Sequence, residues 1–342
     1  MVNGNAHLLD HDHEHGAETS TTTVAVVAGI CSLLFGLVAF ATNSVLLFTL
    51  YRDPYNHFRS RATTYFVASL SISDFLGGVI VQPLYAACML SKATGVEQPN
   101  LCYITLILSH ASTKISIIIV VVLSLDRYLA VKLSLRYRQI VTVRNAIICN
   151  ISIWLFCVAF EASHAVVESQ EVFHTIDLHL QTTIPLSFIC VAYAATYFEF
   201  RRYSRNFISV QANIGGKSRV FIRNIRLEKK IVLTVALIVI ILFVSLLPYL
   251  VTNNIGEHCH EETDGGKCSG LGFEITRALS VPMLCVSCAL NPFLYAWRIP
   301  QYKQALRVVR LTTCNKCRRN NRTINDQVLR SEEHTSELQS QR

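Results

Sequence analysis

The sequence predicts an all-α membrane protein, a bundle of seven transmembrane helices followed by a short amphipathic eighth. Three observations lead there. Of 342 residues, 51% are hydrophobic and only 16% charged, where a soluble domain carries about 25% charged residues. The apolar residues collect in runs long enough to cross a bilayer, which takes about 20 residues as a helix. The charges collect in short basic blocks between those runs. The net charge of +8 is therefore the mark of Lys and Arg gathered on one side of a membrane, and no nucleic-acid partner is expected.

Taken in order, the apolar runs cover about 24–50, 62–90, 100–133, 143–166, 180–203, 224–253 and 271–296, with an amphipathic segment at about 299–311. Each is too long and too continuous for a barrel strand, and only helices and closed barrels satisfy their backbone in lipid. Residues 1–23 are polar and read as a disordered tail, with no secretory signal, so the first span serves as the insertion signal. The receptor-like unit occupies 24–311 and a polar tail 312–329. Residues 330–342 are set aside, because Arg330–Ser340 resembles the in-frame translation of a sequencing adapter. Basic residues fill alternate loops: Arg52, Arg59 and Arg61; then Lys132, Arg136, Arg138 and Arg144; then nine between spans five and six; then Arg298, Lys303, Arg307 and Arg310. The opposite loops hold only Lys92, Lys267 and Arg277. That asymmetry predicts an extracellular N-terminus and a cytoplasmic C-terminus.

Two constellations carry mechanism. Asp126-Arg127-Tyr128 ends span three where the helix meets the cytoplasm, and Glu228 begins span six. A charge there needs a neighbouring acid to offset its burial. Arg127 held by Asp126 and Glu228 would latch spans three and six together, and a bias of a few kcal/mol would open a cavity for a partner. The plain alternative is a positive anchor with no switching role. In span seven, Asn291-Pro292 breaks the helical ladder, because proline has no N–H. Asp74 is an intramembrane acid, and Asp74, Ser116, Ser287 and Asn291 could together form a polar pocket suited to a sodium ion or to waters. The alternative is a protonated Asp74 that only joins helices.

The ordered set Asn43, Leu70, Asp74, Cys102, Asp126-Arg127-Tyr128, Trp154, Pro185, Tyr193, Pro248, Asn291-Pro292 and Tyr295 resembles the rhodopsin-like class of G-protein-coupled receptors over about 24–311. The resemblance implies a plasma-membrane receptor with an outer ligand pocket and an inner docking site for a heterotrimeric G protein. It also implies arrestin and receptor kinase as partners, with Arg127, Tyr193 and Tyr295 as switch residues. Leu246 stands where the family usually has tryptophan, two residues before the proline of span six. Cys102 resembles the cysteine that pairs with the second outer loop, but 167–179 contains no cysteine. Cys259 and Cys268 then suggest a bridge within the third outer loop, or one of them pairs with Cys102. Cys314 and Cys317, in a basic setting after the eighth helix, are candidates for S-palmitoylation and membrane-lipid contact.

The ligand is less constrained. Ser109 replaces the aspartate of amine receptors, and Cys285 the Schiff-base lysine of opsins, which disfavours amines and light. The exit of span seven, YAWRIPQYKQALR, resembles adenosine receptors, and LRYRQIVTVRNA resembles both these and melanocortin receptors. Thr113 and Asn253 match two polar positions of an adenosine pocket, although Leu250 and Cys285 replace its histidines. Tyr249 is a further pocket candidate, and a small molecule or a peptide is the expected ligand class. Lys114 lies one turn after His110 at mid-span. It either pairs with Glu161 or receives an anionic ligand group. Nine outer histidines (His7, His11, His13, His15, His164, His174, His179, His258 and His260) admit proton or metal sensing, or a merely polar surface. No resident metal is expected. A seven-span transporter or channel would show repeated halves or a ring of buried charge, and an enzyme a paired nucleophile and base; none of these is found in the sequence.

Overall fold

The computed structural model describes residues 4–56, 58–96, 98–133, 136–163, 175–214, 233, 236–252, 271–298 and 301–312. These form α1 (Gly4–Arg52), α2 (Ala62–Ala93), α3 (Pro99–Leu133), α4 (Val143–Ser163), α5 (Thr175–Arg202, continuing to Ile214), α6 (Ala236–Thr252), α7 (Leu271–Arg298) and α8 (301–312). Among the described residues six helices are long and apolar enough to cross a membrane, and α6 is a shorter apolar helix. The chain is a multi-pass membrane protein built as a helical bundle.

The segment expected to be a disordered tail instead continues α1 from Gly4, while the apolar stretch begins at Ser20. Once a stable span supplies the nucleus, each further residue adds a backbone hydrogen bond, and no proline interrupts 4–23.

Polarity is inverted relative to a soluble bundle. Leu37, Leu155 and Val191 are 63%, 67% and 69% exposed, a lipid-facing surface that water would not tolerate. Inside lie Asn43, Asp74, Lys114, Ser116, Asp126, Arg127, Glu161, Asp177 and Asn291, all buried. The apolar core between them gathers Leu70 of α2, Ile119 and Leu123 of α3, Ile153 of α4, Ile189 of α5, Ile238 of α6 and Tyr295 of α7. Helix α1 packs on α2 and α7, α2 on α3 and α4, and α3 on α4 and α5. Tyr249 and Leu246 of α6 pack on Ile117 of α3 and Leu284 of α7.

The α1–α2 contact depends on glycine. A Cβ on Gly36 would stand 2.9 Å from the Gly78 carbonyl oxygen, and one on Gly78 would stand 2.6 Å from that of Gly36. Beside this crossing, α2 widens into a π-helical turn, Gly77–Val81, and Ser32 of α1 donates to the Gln82 carbonyl at 2.9 Å. Trp154 Nε1 ties α4 to α2 through Ser69 Oγ at 2.9 Å.

The two prolines of α7, Pro282 and Pro292, each leave a carbonyl four residues earlier without its helical donor. Both carbonyls are met from neighbouring helices. Tyr85 of α2 donates its hydroxyl to Ala278 O at 2.7 Å, and Asn43 of α1 donates Nδ2 to Cys288 O at 3.1 Å.

Candidate functional site

Three polar layers hang on α3. The first surrounds Arg127 at one end. Arg127 Nε donates to Asp126 Oδ2 at 3.1 Å, and Nη2 pairs with the same oxygen. Thr63 of α2 donates to Asp126 Oδ2 at 2.8 Å and accepts from Arg127. Tyr137, in the single helical turn Tyr137–Ile140 beyond α3, donates its phenol to Asp126 Oδ1. Burial, then the adjacent Asp126 charge, pushes the Tyr137 phenol up to about 12, so it stays a donor at neutral pH. Asp126 is thus held from α2, α3 and the following turn together.

The other switch candidates are spread around this layer. Tyr128 accepts from Lys132 Nζ at 2.8 Å, one turn further along α3. Tyr193 of α5 hydrogen-bonds the Ala236 backbone at the start of α6 and lies within electrostatic reach of Arg127. Tyr295 of α7 is buried and stacks on Tyr302 of α8, centroids 5.8 Å apart. Its hydroxyl has no hydrogen-bond partner among the described residues. Pro248 lies within α6. Glu228 lies outside the described residues, as do Asn253, Cys259, Cys268, Cys314 and Cys317.

The second layer is halfway along α3. Asn291 Nδ2 donates to Asp74 Oδ2 at 2.8 Å, and Ser116 Oγ to Asp74 Oδ1 at 3.4 Å. Ser116 also donates to Ser73 Oγ at 3.1 Å. Ser287 faces the same space, with its hydroxyl donating to Leu284 O at 2.7 Å. These four sequence-selected residues line a cavity of about 50 Å³, which also reaches Ser109, Thr113 and Cys285. The structure therefore joins the polar pocket to two of the ligand-pocket candidates. An oxygen that has donated its hydrogen still offers lone pairs to a cation.

The third layer surrounds Lys114, which is fully buried. Its ammonium bridges Glu161 of α4 and Asp177 of α5 and lies 4.1 Å from the Phe160 ring centroid. Glu161 is the partner chosen from the sequence; Asp177 is an addition. His110 links onward: Nδ1 stands 3.4 Å from Asp177 Oδ2, and Nε2 2.6 Å from the Tyr249 hydroxyl of α6. Ligand atoms of His110, Glu161 and Asp177 lie within 4.8 Å of one another. The space between the two carboxylates is already taken by the Lys114 ammonium.

Cys102 pairs with Cys88, near the end of α2, with Cα atoms 5.2 Å apart. This overturns the expectation that Cys102 reaches Cys259 or Cys268. The short α2–α3 connection brings the two helix ends face to face, and Cys88 lies inside the second apolar run, where nothing marks it as a partner. Of the residues missed in the sequence, Asp177 carried a signal, an acid beside the fifth apolar run. Thr63, Tyr85 and Tyr137 carried none, since their roles exist only across helices.

The sequence pattern of the family described as "7 transmembrane receptor (rhodopsin family)" matches residues 42–295. Adenosine receptor A3 of Canis lupus familiaris is 31% identical over 147 residues, 42% of this chain and 40% of the relative. G-protein coupled receptor 52 of Bos taurus is 27% identical over 167 residues, 47% of this chain and 45% of the relative. Dopamine receptor 2 of Drosophila melanogaster is 32% identical over 130 residues, 37% and 23% respectively. The chain thus aligns with less than half the length of each of these relatives.

Proposed function

The chain belongs to the rhodopsin family of seven-transmembrane receptors, and on that premise we propose that it passes the binding of an extracellular ligand to a heterotrimeric G protein. It would do so from the plasma membrane, N-terminus outside and C-terminus in the cytoplasm. The transporter or channel alternative is not favoured by the family match, and the reading is of a signalling receptor rather than an enzyme. Arrestin and receptor kinase would share the cytoplasmic face with the G protein, and Cys314 and Cys317 would meet membrane lipid if acylated.

The observation that carries the reading is the buried Asp126–Arg127 pair, closed by Thr63 and Tyr137. A charge-assisted hydrogen bond contributes about 1.5–3 kcal/mol, enough to hold most of the population closed yet within reach of a ligand's differential binding. Freeing Arg127 exposes a cationic group on the inner face for the partner. Tyr295, whose buried hydroxyl has no partner among the described residues, has bonding capacity in reserve for the open arrangement. The test is guanine-nucleotide exchange on a purified G protein by the receptor in nanodiscs. Asp126→Asn should raise ligand-free exchange by roughly tenfold, the equivalent of one such bond, while Arg127→Ala should lose it. Unchanged exchange in both variants would sink the latch.

For the ligand, a nucleoside-like molecule is favoured by the adenosine-type positions Thr113 and Asn253, with Thr113 on the cavity wall. A peptide is the second reading. An adenosine response that persists unaltered in Asn253→Ala would remove the nucleoside pose. Asp74, Ser116, Ser287 and Asn291 have the oxygen donors to hold a sodium ion, which would supply a compact positive charge to the Asp74 carboxylate. Sodium-dependent stabilisation that survives in Asp74→Asn would exclude that site.

A further inference from the structure

We propose that His110 is a proton-binding site that couples extracellular acidity to α6. Among the described residues the ionic cluster around it is unbalanced. Glu161 and Asp177 bring two negative charges and Lys114 one positive charge, all buried. With a neutral imidazole the cluster keeps one excess negative charge in a low-dielectric interior, and a proton on His110 cancels it. The groups facing the ring among the described residues are Lys114 of α3, Glu161 of α4, Asp177 of α5 and Tyr249 of α6. They include two carboxylates to attract the proton and one ammonium to oppose it.

A divalent metal is the competing occupant. His110, Glu161 and Asp177 have the ligand types for one, but it would have to expel the Lys114 ammonium, which touches both carboxylates and is shut in against Phe160. A proton needs no such space. It needs only a lone pair on the imidazole ring.

The hydrogen-bond directions turn this proton into a tighter hold between helices. In the neutral ring, the proton assigned to Nδ1 faces Asp177 and Nε2 accepts from the Tyr249 phenol at 2.6 Å. A second proton arrives at Nε2, and the phenol can no longer donate there. Two events follow. The His110–Asp177 contact becomes a charge-assisted bond that tightens α3 on α5. The Tyr249 hydroxyl turns its hydrogen aside and accepts from Nε2–H instead, so this contact becomes charge-assisted as well and holds α6, whose Tyr249 and Leu246 pack on Ile117 and Leu284, against α3. Acid therefore strengthens both α3–α5 and α3–α6, the latter being the pair of helices that the Arg127 latch must let part.

This inference rests on the receptor reading for its output but not for its input, so the two are measured separately. Receptor in nanodiscs, with EDTA throughout, is followed by imidazole ¹⁵N NMR and by nucleotide exchange on a G protein from about pH 5 to 8, the range in which histidine titrates. His110 is identified by the signal lost in His110→Gln. The expected result is a titrating His110 and an acid-driven fall in exchange of about fivefold or more, the lower end of ordinary site-to-site coupling. His110→Gln should flatten the pH profile, and Tyr249→Phe should keep the titration while losing the fall. Three results would overturn the proposal: no titration of His110, a wild-type profile retained in His110→Gln, or a pH response that appears only when zinc replaces EDTA. If His110 titrates and exchange ignores pH while Asp126→Asn still raises it, the coupling to α6 fails and the receptor reading stands; if exchange answers neither, the receptor reading fails while the proton site stands.

Discussion

Asp126 takes bonds from Arg127, Thr63 and Tyr137 on two carboxylate oxygens, so each donor can be tested singly. Tyr137→Phe removes one neutral donor and should raise ligand-free nucleotide exchange by less than Asp126→Asn, in line with about 0.5–1.5 kcal/mol for one such bond. The phenol also has a defined pH behaviour. Its folded-state pKa, pushed to about 12, lies above the free value of about 10, so its contribution is complete below the free value and lost only as pH climbs through the folded one. The ratio of exchange in Tyr137→Phe to wild type should therefore stay constant from about pH 8 to 9.5; a ratio that falls toward one in that range would show an ordinary phenol. At this scale the sequence is legible where a residue is conspicuous alone. Asp126-Arg127 stood out as a charge pair at a helix end, and Lys114 as a lone cation at mid-span. Tyr137 acquires meaning only when separate segments meet, and nothing in its spacing announces that, while Asp177 shows in the sequence only as an acid beside an apolar run.

Helix α7 depends on its neighbours for two of its backbone carbonyls. Its prolines could be read directly from the sequence, along with the broken ladder each one causes. Which group answers the freed carbonyl could not, because Tyr85 and Asn43 come from other helices and reach Ala278 and Cys288 only after packing. In lipid no water competes for such a carbonyl, so losing the donor leaves it bare at a cost of about 1–3 kcal/mol. Tyr85→Phe keeps the ring and removes only the hydroxyl; Asn43→Leu keeps the bulk and removes only the amide. Each should lower the apparent Tm of the receptor in nanodiscs. A Tm unmoved by either change would mean that the kinked helix satisfies itself by relaxing locally. The glycine crossing of α1 and α2 at Gly36 and Gly78 has the same character, since the glycines are visible in the chain and their mutual contact is not.

The whole molecule arranges its polarity in layers along α3, with Arg127 at one end, Asp74 and Ser116 between, and Lys114 beyond. Helix count, order and the location of intramembrane charge followed from composition and run length, because a bilayer imposes one length on every span. The covalent link did not follow. Cys88 sits inside an apolar run, and hydropathy carries no record of which side chains end up facing across a turn. Cys88→Ser should destabilise the bundle by about 3 kcal/mol, the chain-entropy value for a closed loop of this size, read as a lower unfolding midpoint; an unchanged midpoint would mean the α2–α3 connection is ordered without it. The same bond leaves a mechanical signature. If a single receptor is drawn out of its membrane by force, the 14-residue separation between Cys88 and Cys102 stays hidden from the stretched chain. Adding a reductant should lengthen the fully extended molecule by about 40–45 Å, a step measurable on one molecule at a time and absent from Cys102→Ser.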